Sequence, residues 1–299
     1  LIIFLGLFLR ARLRYDDAFW DAAERLVFKV LFPPLLFLSV AQSRLTPSSA
    51  ALFLSVGVSS MLLAVVASAS LRLFIKDNPV THASVFQCGF RFNTYIGFSI
   101  CLQLFDQTGF ALLALLIAFW VPISNTIAVS VLASAVAKAE GGAVGKKHSV
   151  FKTIVTNPLI IATVLGLAWN VTGWTIPTVP AVFLKHLGSA SLAMGLLCSG
   201  AGLRLQAFRG HGALIVASTI ERLMVVPAIA WGMGAVFGLS SVQAGVLLLF
   251  DALPTAQSCY VMTATMRGDA ASVAGVTTAQ TLAAMATLPV WTALIQSLT

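Results

Sequence analysis

The chain has 299 residues, of which 59% are hydrophobic and 9% charged, and it carries a net charge of +8. Soluble domains carry about 25% charged residues, so these proportions exclude a water-soluble globule of this size and make the bilayer the implied solvent. A spanning helix takes about 20 apolar residues, so ten of them would use about two thirds of such a chain and leave connections too short for an extramembrane domain.

The first apolar run, Leu1 to Leu9, is about half a span long, and Arg10, Arg12 and Arg14 follow it directly. A signal peptide would carry its positive charges ahead of the run, so the stretch reads as the second half of a first helix whose beginning lies before Leu1. Further runs of near-spanning length occupy residues 26–42, 51–75, 83–105, 110–137, 154–172, 182–203, 213–237, 242–266 and 271–297, which brings the count to ten. At 154–172 the pair Asn157-Pro158 reads as an N-cap followed by a first-turn proline, so that helix is expected to be short. Cys88, Cys101, Cys198 and Cys259 all lie in apolar stretches and read as buried thiols, not as a disulfide framework.

Orientation follows from the basic residues. With the first helix running inward, the inside connections hold Arg10, Arg12, Arg14, Arg25, Arg72, Lys76, Lys138, Lys146, Lys147, Lys152, Arg204, Arg209 and Arg267, against only Arg44 and Lys185 outside. That asymmetry puts both termini outside and assigns the basic excess to inner loops, with no nucleic-acid partner. Trp169 and Trp174 fall where the outer interface is expected, as anchors. His82, His148, His186 and His211 sit at span ends or in loops, and no pair has metal-ligand spacing, so no metal is expected.

An odd number of spans per half makes any internal repeat an inverted one. A shift of 160 residues keeps the spacing of span starts through both halves, and it lays Gly6 on Gly166, Arg44 on Arg204, Arg91 on Asp251 and Asn93 on Leu253 beside Pro254. The fold expected is therefore all-α and polytopic, an inverted five-plus-five repeat.

Two spans carry polar and helix-breaking residues near their centres. The fourth holds Arg91, Asn93, Thr94, Tyr95 and Gly97, and the ninth holds Asp251, Pro254, Thr255, Gln257 and Ser258. Where a helix breaks it frees N–H and C=O groups, which the bilayer tolerates only against a polar cavity or protein. Half-helices starting near Thr94 and Thr255, with Asn93 as a cap and Pro254 in a first turn, would point two positive N-terminal ends at mid-membrane and so make an anion site. Charges at a helix centre cost about 2.5–3.5 kcal/mol on insertion scales, so Arg91 and Asp251 are expected to act, either as a pair facing each other or in ion coupling. Ser124, Asn125 and Thr126 add a polar cluster in the fifth span, and Thr277, Thr278, Gln280 and Thr281 in the tenth could line the same cavity or bond their own helix. Glu221-Arg222 reads as a structural pair or a carbonyl ligand. No catalytic motif of a hydrolase, zinc protease or phosphate-binding loop occurs, so the chain is not read as an enzyme. The acidic run Asp16, Asp17 and Asp21 lacks the second acidic motif that a prenyl transferase would need.

The fourth-span run Arg91-x-Asn93-Thr94-Tyr95-x-Gly97 resembles the auxin efflux carrier family. So do Asn157-Pro158-Leu159 with Gly166, and Leu253-Pro254-Thr255-Ala256-Gln257-Ser258 with Tyr260 and Gly268-Asp269-Ala270. The resemblance implies that the fourth and ninth helices break and cross at mid-membrane. It also implies a scaffold of residues 1–48 and 154–210, a cytoplasmic loop at 139–153, and a mobile transport part of residues 49–138 and 211–299. The family moves small organic anions such as auxin or malonate by an elevator-like motion, often as homodimers. Carried over, its crossover site falls on Asn93 and Pro254, with Asn125 contributing from the fifth span. The short central loop, Ala139 to His148, points to a bacterial inner-membrane protein. The expectation is a secondary carrier of a carboxylate, embedded among membrane lipids, with no cofactor and with possible proton or sodium coupling. A sodium-coupled bile-acid-type symporter and a non-transporting membrane ligand sensor are the alternatives.

Overall fold

The computed structural model describes residues 1–13, 15–43, 47–105, 107–141, 156–204 and 211–298. Arg14, Arg44, Lys146, Lys147, His148, Lys152 and Arg209, on which part of the orientation argument rests, lie outside the described residues, as does nearly all of the central loop.

Among the described residues every regular element is helical. In chain order they are α1 (Ile2–Leu13), α2 (Asp17–Leu26), which runs through a π turn (Val27–Leu31) into α3 (Phe32–Ala41), and then α4 (Pro47–Phe74). Next come α5 (Pro79–Phe86) with a 3-10 turn (Gln87–Gly89), α6 (Thr94–Leu104), α7 (Gln107–Ala139), α8 (Pro158–Thr172) and α9 (Thr178–Ala201). The last are α10 (Gly212–Ile220), continuing through a π turn (Glu221–Val225) into α11 (Val226–Val236), then α12 (Ser241–Ala252), α13 (Ser258–Thr265) and α14 (Ala270–Leu298). Among the described residues five stretches are long and apolar enough to cross a bilayer: Ala50–Phe74, Gln107–Ala139, Thr178–Ala201, Gly212–Val236 and Ala270–Ser297.

The surface is apolar where a soluble protein would be polar. Phe74, Val179 and Val236 are about 80% exposed, whereas Arg222 and Asp251 are wholly buried. Such surface is stable only against lipid, so the chain is an integral membrane protein. The cysteines are free and buried, as their apolar surroundings predict. Asn157 caps α8 as expected, its side chain accepting from the Leu159 N–H at 2.9 Å, with Pro158 in the first turn. The helix stops after Thr172 at Gly173, whose φ of 67° only glycine adopts freely.

The chain divides into two compact units. One is Leu1–Ala51, Tyr95–Phe119 and Val150–Leu203, in which α1 packs on α9 and α3 packs on both α8 and α9. Backbones touch at these contacts. A Cβ added at Gly6 would run into the Leu197 carbonyl, and one at Gly166 into the Phe37 carbonyl and the Val40 side chain. Small residues permit this approach, and in lipid close packing is what holds helices together. Asn170 locks the end of α3 by donating its amide to the carbonyls of Ala41 and Ser43, at 3.1 and 2.6 Å.

The other unit is Leu52–Thr94, Trp120–Ser149 and Arg204–Thr299, in which α14 packs against α5, α10, α12 and α13. Residues 95–119, assigned by resemblance to the transport part, group with the first unit. At one end of the second unit Asp269 collects hydrogen bonds from Thr81 Oγ1 at 2.9 Å and from the Ser272 hydroxyl and N–H at 2.7 and 3.0 Å, with His211 Nε2 at 3.7 Å. Burial alone would raise the Asp269 carboxyl. The hydrogen bonds from Ser272 and Thr81 and the nearby His211 outweigh it and hold the carboxyl below its ordinary value of 3.8. A carboxylate with a lowered folded value contributes stability above its unfolded value and loses it as pH falls. Asp269→Asn is thus expected to lower the melting temperature at neutral pH, with the gap to the parent closing in acid. A gap independent of pH would refute this.

Candidate functional site

Both predicted breaks are present, and both lie in the second unit. The helix of α5 ends in the turn at Gly89, residues 90–93 are non-helical, and α6 starts at Thr94 as expected. The helix of α12 ends at Ala252, and α13 starts only at Ser258. Pro254 and Thr255 therefore sit inside the break and not in a first helical turn, which corrects the expected cap arrangement. The cause is local: a residue preceding proline is pushed out of the helical region, and Leu253 is extended at φ −68°, ψ 139°.

Backbone groups freed in an apolar interior need partners, and here most are found. The Asn93 N–H donates to the Pro254 carbonyl at 2.8 Å, joining the two breaks directly. Trp120 Nε1 donates to the Phe90 carbonyl at 2.9 Å. Gln280 accepts the Thr255 N–H at 3.0 Å and donates to the Ser218 carbonyl at 3.2 Å. Arg222 serves three carbonyls at once: Leu253 at 2.7 Å through Nε, and Gly89 and Phe250 at 3.2 Å through its two terminal nitrogens. A cation is thereby placed at the carbonyl ends of both interrupted helices, where the helix dipole favours it.

The structure does not bring Arg91 and Asp251 into a pair. Arg91 donates to Gln87 Oε1 at 2.7 Å, Ser258 Oγ at 3.0 Å and Met262 Sδ at 3.3 Å, so it bridges α5 to α13. Asp251 points instead at α4, accepting from Ser60 Oγ at 2.5 Å. The repeat shift relates positions in the chain, and it says nothing of the direction in which a side chain leaves its helix. Tyr95 groups with the first unit, where its ring packs edge-on to Phe32 at 5.6 Å and fills the space over Gly195. Thr255 is wholly buried, with its N–H taken by Gln280 and its hydroxyl bonded to Cys259 at 3.2 Å. Asn125 is half-buried, and its amide has no hydrogen-bond partner among the described residues. Thr277 and Thr281 bond carbonyls of their own helix, while Gln280 reaches the break. Among the described residues no group of three or more histidines, cysteines or acids could hold a metal ion.

Sequence reading missed Trp120, Ser60, Ser68 and Gly89. Glu221 accepts from Ser68 Oγ at 2.7 Å, and its carboxylate packs against Gly89 so closely that a Cβ there would overlap it. Ser68 also lines a cavity of about 880 Å³ bounded by α4, α5 and α7, whose rim carries Arg72 and Lys138.

Helices broken at mid-length, with buried polar groups at the breaks, are a construction that membrane transporters use. Comparison with known proteins agrees. The family described as membrane transport protein matches residues 142–292, half of the chain, and the chain belongs to this family, that of the auxin efflux carriers. It is also 22% identical over 171 residues to an uncharacterized transporter of Methanocaldococcus jannaschii, a match that covers 56% of this chain and 53% of the relative. The chain thus spans about half the length of the curated relative it matches.

Proposed function

We propose that the protein is a secondary carrier of a small organic anion, a carboxylate, bound where its fourth and ninth spans break and cross. The observation that carries this reading is the hydrogen bond from the Asn93 N–H to the Pro254 carbonyl, which fixes the two breaks side by side. Beside it lie the starts of α6 and α13, whose helix dipoles put their positive ends there and favour an anion. Arg91, half-buried and held by Gln87 and Ser258, supplies a fixed positive charge, and the half-buried Asn125 amide a donor. In this reading residues 49–138 and 211–299 move against a scaffold of residues 1–48 and 154–210, with elevator-like alternating access and a homodimer in the bacterial inner membrane, both termini outside.

Reciprocal contacts support the inverted repeat. The 160-residue shift turns the Gly6–Leu197 contact into the Gly166–Phe37 contact, with the partners exchanged. It also relates Trp120 to Gln280, and each satisfies a backbone group of one break. Two inverted halves are the usual construction of a secondary transporter.

The test is uptake into proteoliposomes across a panel of mono- and dicarboxylates, with sodium and pH gradients imposed separately. Accumulation of a carboxylate is expected. Asn93→Ala is expected to lose uptake while melting as the parent does, and unimpaired uptake in that variant would count against the crossover site. Uptake of steroidal anions on sodium alone would favour a bile-acid-type symporter. Thermal stabilisation by an anion without transport would favour a sensor.

A further inference from the structure

Two buried carboxylates in the second unit are left over from the site just described. Asp251 is wholly buried and Glu221 is 4% exposed. Each accepts one serine hydroxyl, from Ser60 and Ser68 respectively, and each keeps one buried oxygen, Asp251 Oδ1 and Glu221 Oε2, without a hydrogen-bond partner among the described residues. Ser60 and Ser68 stand eight residues apart on α4, about 12 Å at helical rise and on one face, so both carboxylates are read off a single stripe. Between them comes Arg222, whose three contacts go to carbonyls and none to a carboxylate oxygen.

Charge decides what the orphaned oxygens are for. Among the described residues Arg222 is the charged group that acts on both carboxylates, and it also faces the Cys259 thiol. Cys259 in turn faces Cys88 and Arg91, and Arg91 is already engaged by Gln87 and Ser258. Two carboxylates around one guanidinium leave one uncompensated negative charge in the interior, a large cost in low dielectric. One proton cancels it. A neutral carboxylic acid also costs less to bury with one unpaired oxygen than a carboxylate does.

A route for that proton is present. Ser68, which donates to Glu221, lines the 880 Å³ cavity, and the same cavity is lined by Ser130, Ser134 and His82, whose ring bonds the Ile75 carbonyl. Arg72 and Lys138 line it as well, and two cations facing a cavity favour water in it. We propose that Glu221 and Asp251 hold one exchangeable proton between them around Arg222, loaded at Glu221 from the cavity through Ser68. In the loading step a hydronium ion in the cavity gives its proton to the Glu221 carboxylate and leaves as water. This makes the pair the coupling site of the carrier, and it rests on the transport reading given above.

Two measurements separate this proposal from that reading. First, infrared spectra of the full chain in lipid at neutral pH will contain the carbonyl band of a buried carboxylic acid, lost in Glu221→Gln or Asp251→Asn. A band that neither substitution changes overturns the proposal whether or not the protein transports anything. Second, in proteoliposomes an inward acid gradient will stimulate malonate uptake by the parent. In Glu221→Gln uptake will fall to its gradient-free level while malonate exchange at equal pH persists, and Ser68→Ala will slow the stimulated uptake. Stimulation that survives in both carboxylate variants overturns the proposal, as does stimulation by sodium in place of acid. Failure of the parent to exchange malonate or any other carboxylate, with the infrared band present and substitution-sensitive, would sink the transport reading and leave the proton site standing.

Discussion

An Arg222→Met chain will not accumulate in folded form. The guanidinium is the shared partner of the Leu253, Phe250 and Gly89 carbonyls, and methionine keeps the stem while deleting every donor. A buried acceptor left without a partner costs about 1–3 kcal/mol; Phe250 keeps the Leu253 N–H, so the Leu253 and Gly89 carbonyls together cost on the order of 4 kcal/mol. Stripping the Arg222 cation from Asp251 and Glu221 adds a further penalty of the kind that makes broken buried pairs cost about 3–5 kcal/mol. Together these match the whole stability of a typical domain, about 5–15 kcal/mol. The check is monodisperse yield and thermal unfolding in detergent. The double substitution Arg222→Met with Asp251→Asn separates the two costs. Partial recovery would assign the loss to the uncompensated charge, whereas no recovery would assign it to the carbonyls. An Arg222→Met protein that folds and melts like the parent would show that these carbonyls need no partner.

Gly166→Leu will strongly destabilise the first unit. Its Cβ would overlap the Phe37 carbonyl oxygen and the Val40 side chain. A flexible side chain can swing away from an intruder, but a carbonyl inside a helix cannot. Overpacking a well-filled interior costs about 1–3 kcal/mol, and a backbone collision belongs at or above the top of that range. The inverted repeat makes a second, sharper demand: Gly6→Leu, which meets the Leu197 carbonyl, will produce a loss of the same size. Melting temperatures of the two variants provide the comparison. A large loss for one and none for the other would mean that the two contacts are not equivalent, and would weaken the case for a repeat.

Much of this architecture was legible in the sequence because the bilayer allows few solutions. Apolar runs fixed the helical segments, and Pro254 with its preceding Leu253 fixed the second break. The Asn157-Pro158 pair fixed the start of α8 to the residue. What could not be read was direction. Asp251 and Arg91 occupy matching positions, yet one faces α4 and the other α13, since side-chain heading depends on helix rotation set by tertiary packing. Adjacent residues on a helix diverge by about 100°, so Glu221 and Arg222 were adjacent in sequence but not a pair: one goes to Ser68 and the other to three carbonyls. Ser60 and Ser68 were overlooked because serines are common in apolar helices and usually bond their own backbone. Trp120 offered no signal, as an indole in an apolar run is normally packing.

The contact between Trp120 and the Phe90 carbonyl has an optical consequence. The ring is wholly buried, and its N–H is committed to the non-helical residues of the fourth span. Indole emission shifts when its N–H loses or changes a partner, so the chain carries a built-in fluorophore wired to the very segment that a ligand would disturb. Subtracting the spectrum of Trp120→Phe from that of the parent isolates its signal from the five other tryptophans. Occupancy of the crossover could then be followed in unlabelled protein, in real time and without knowing in advance what the cargo is.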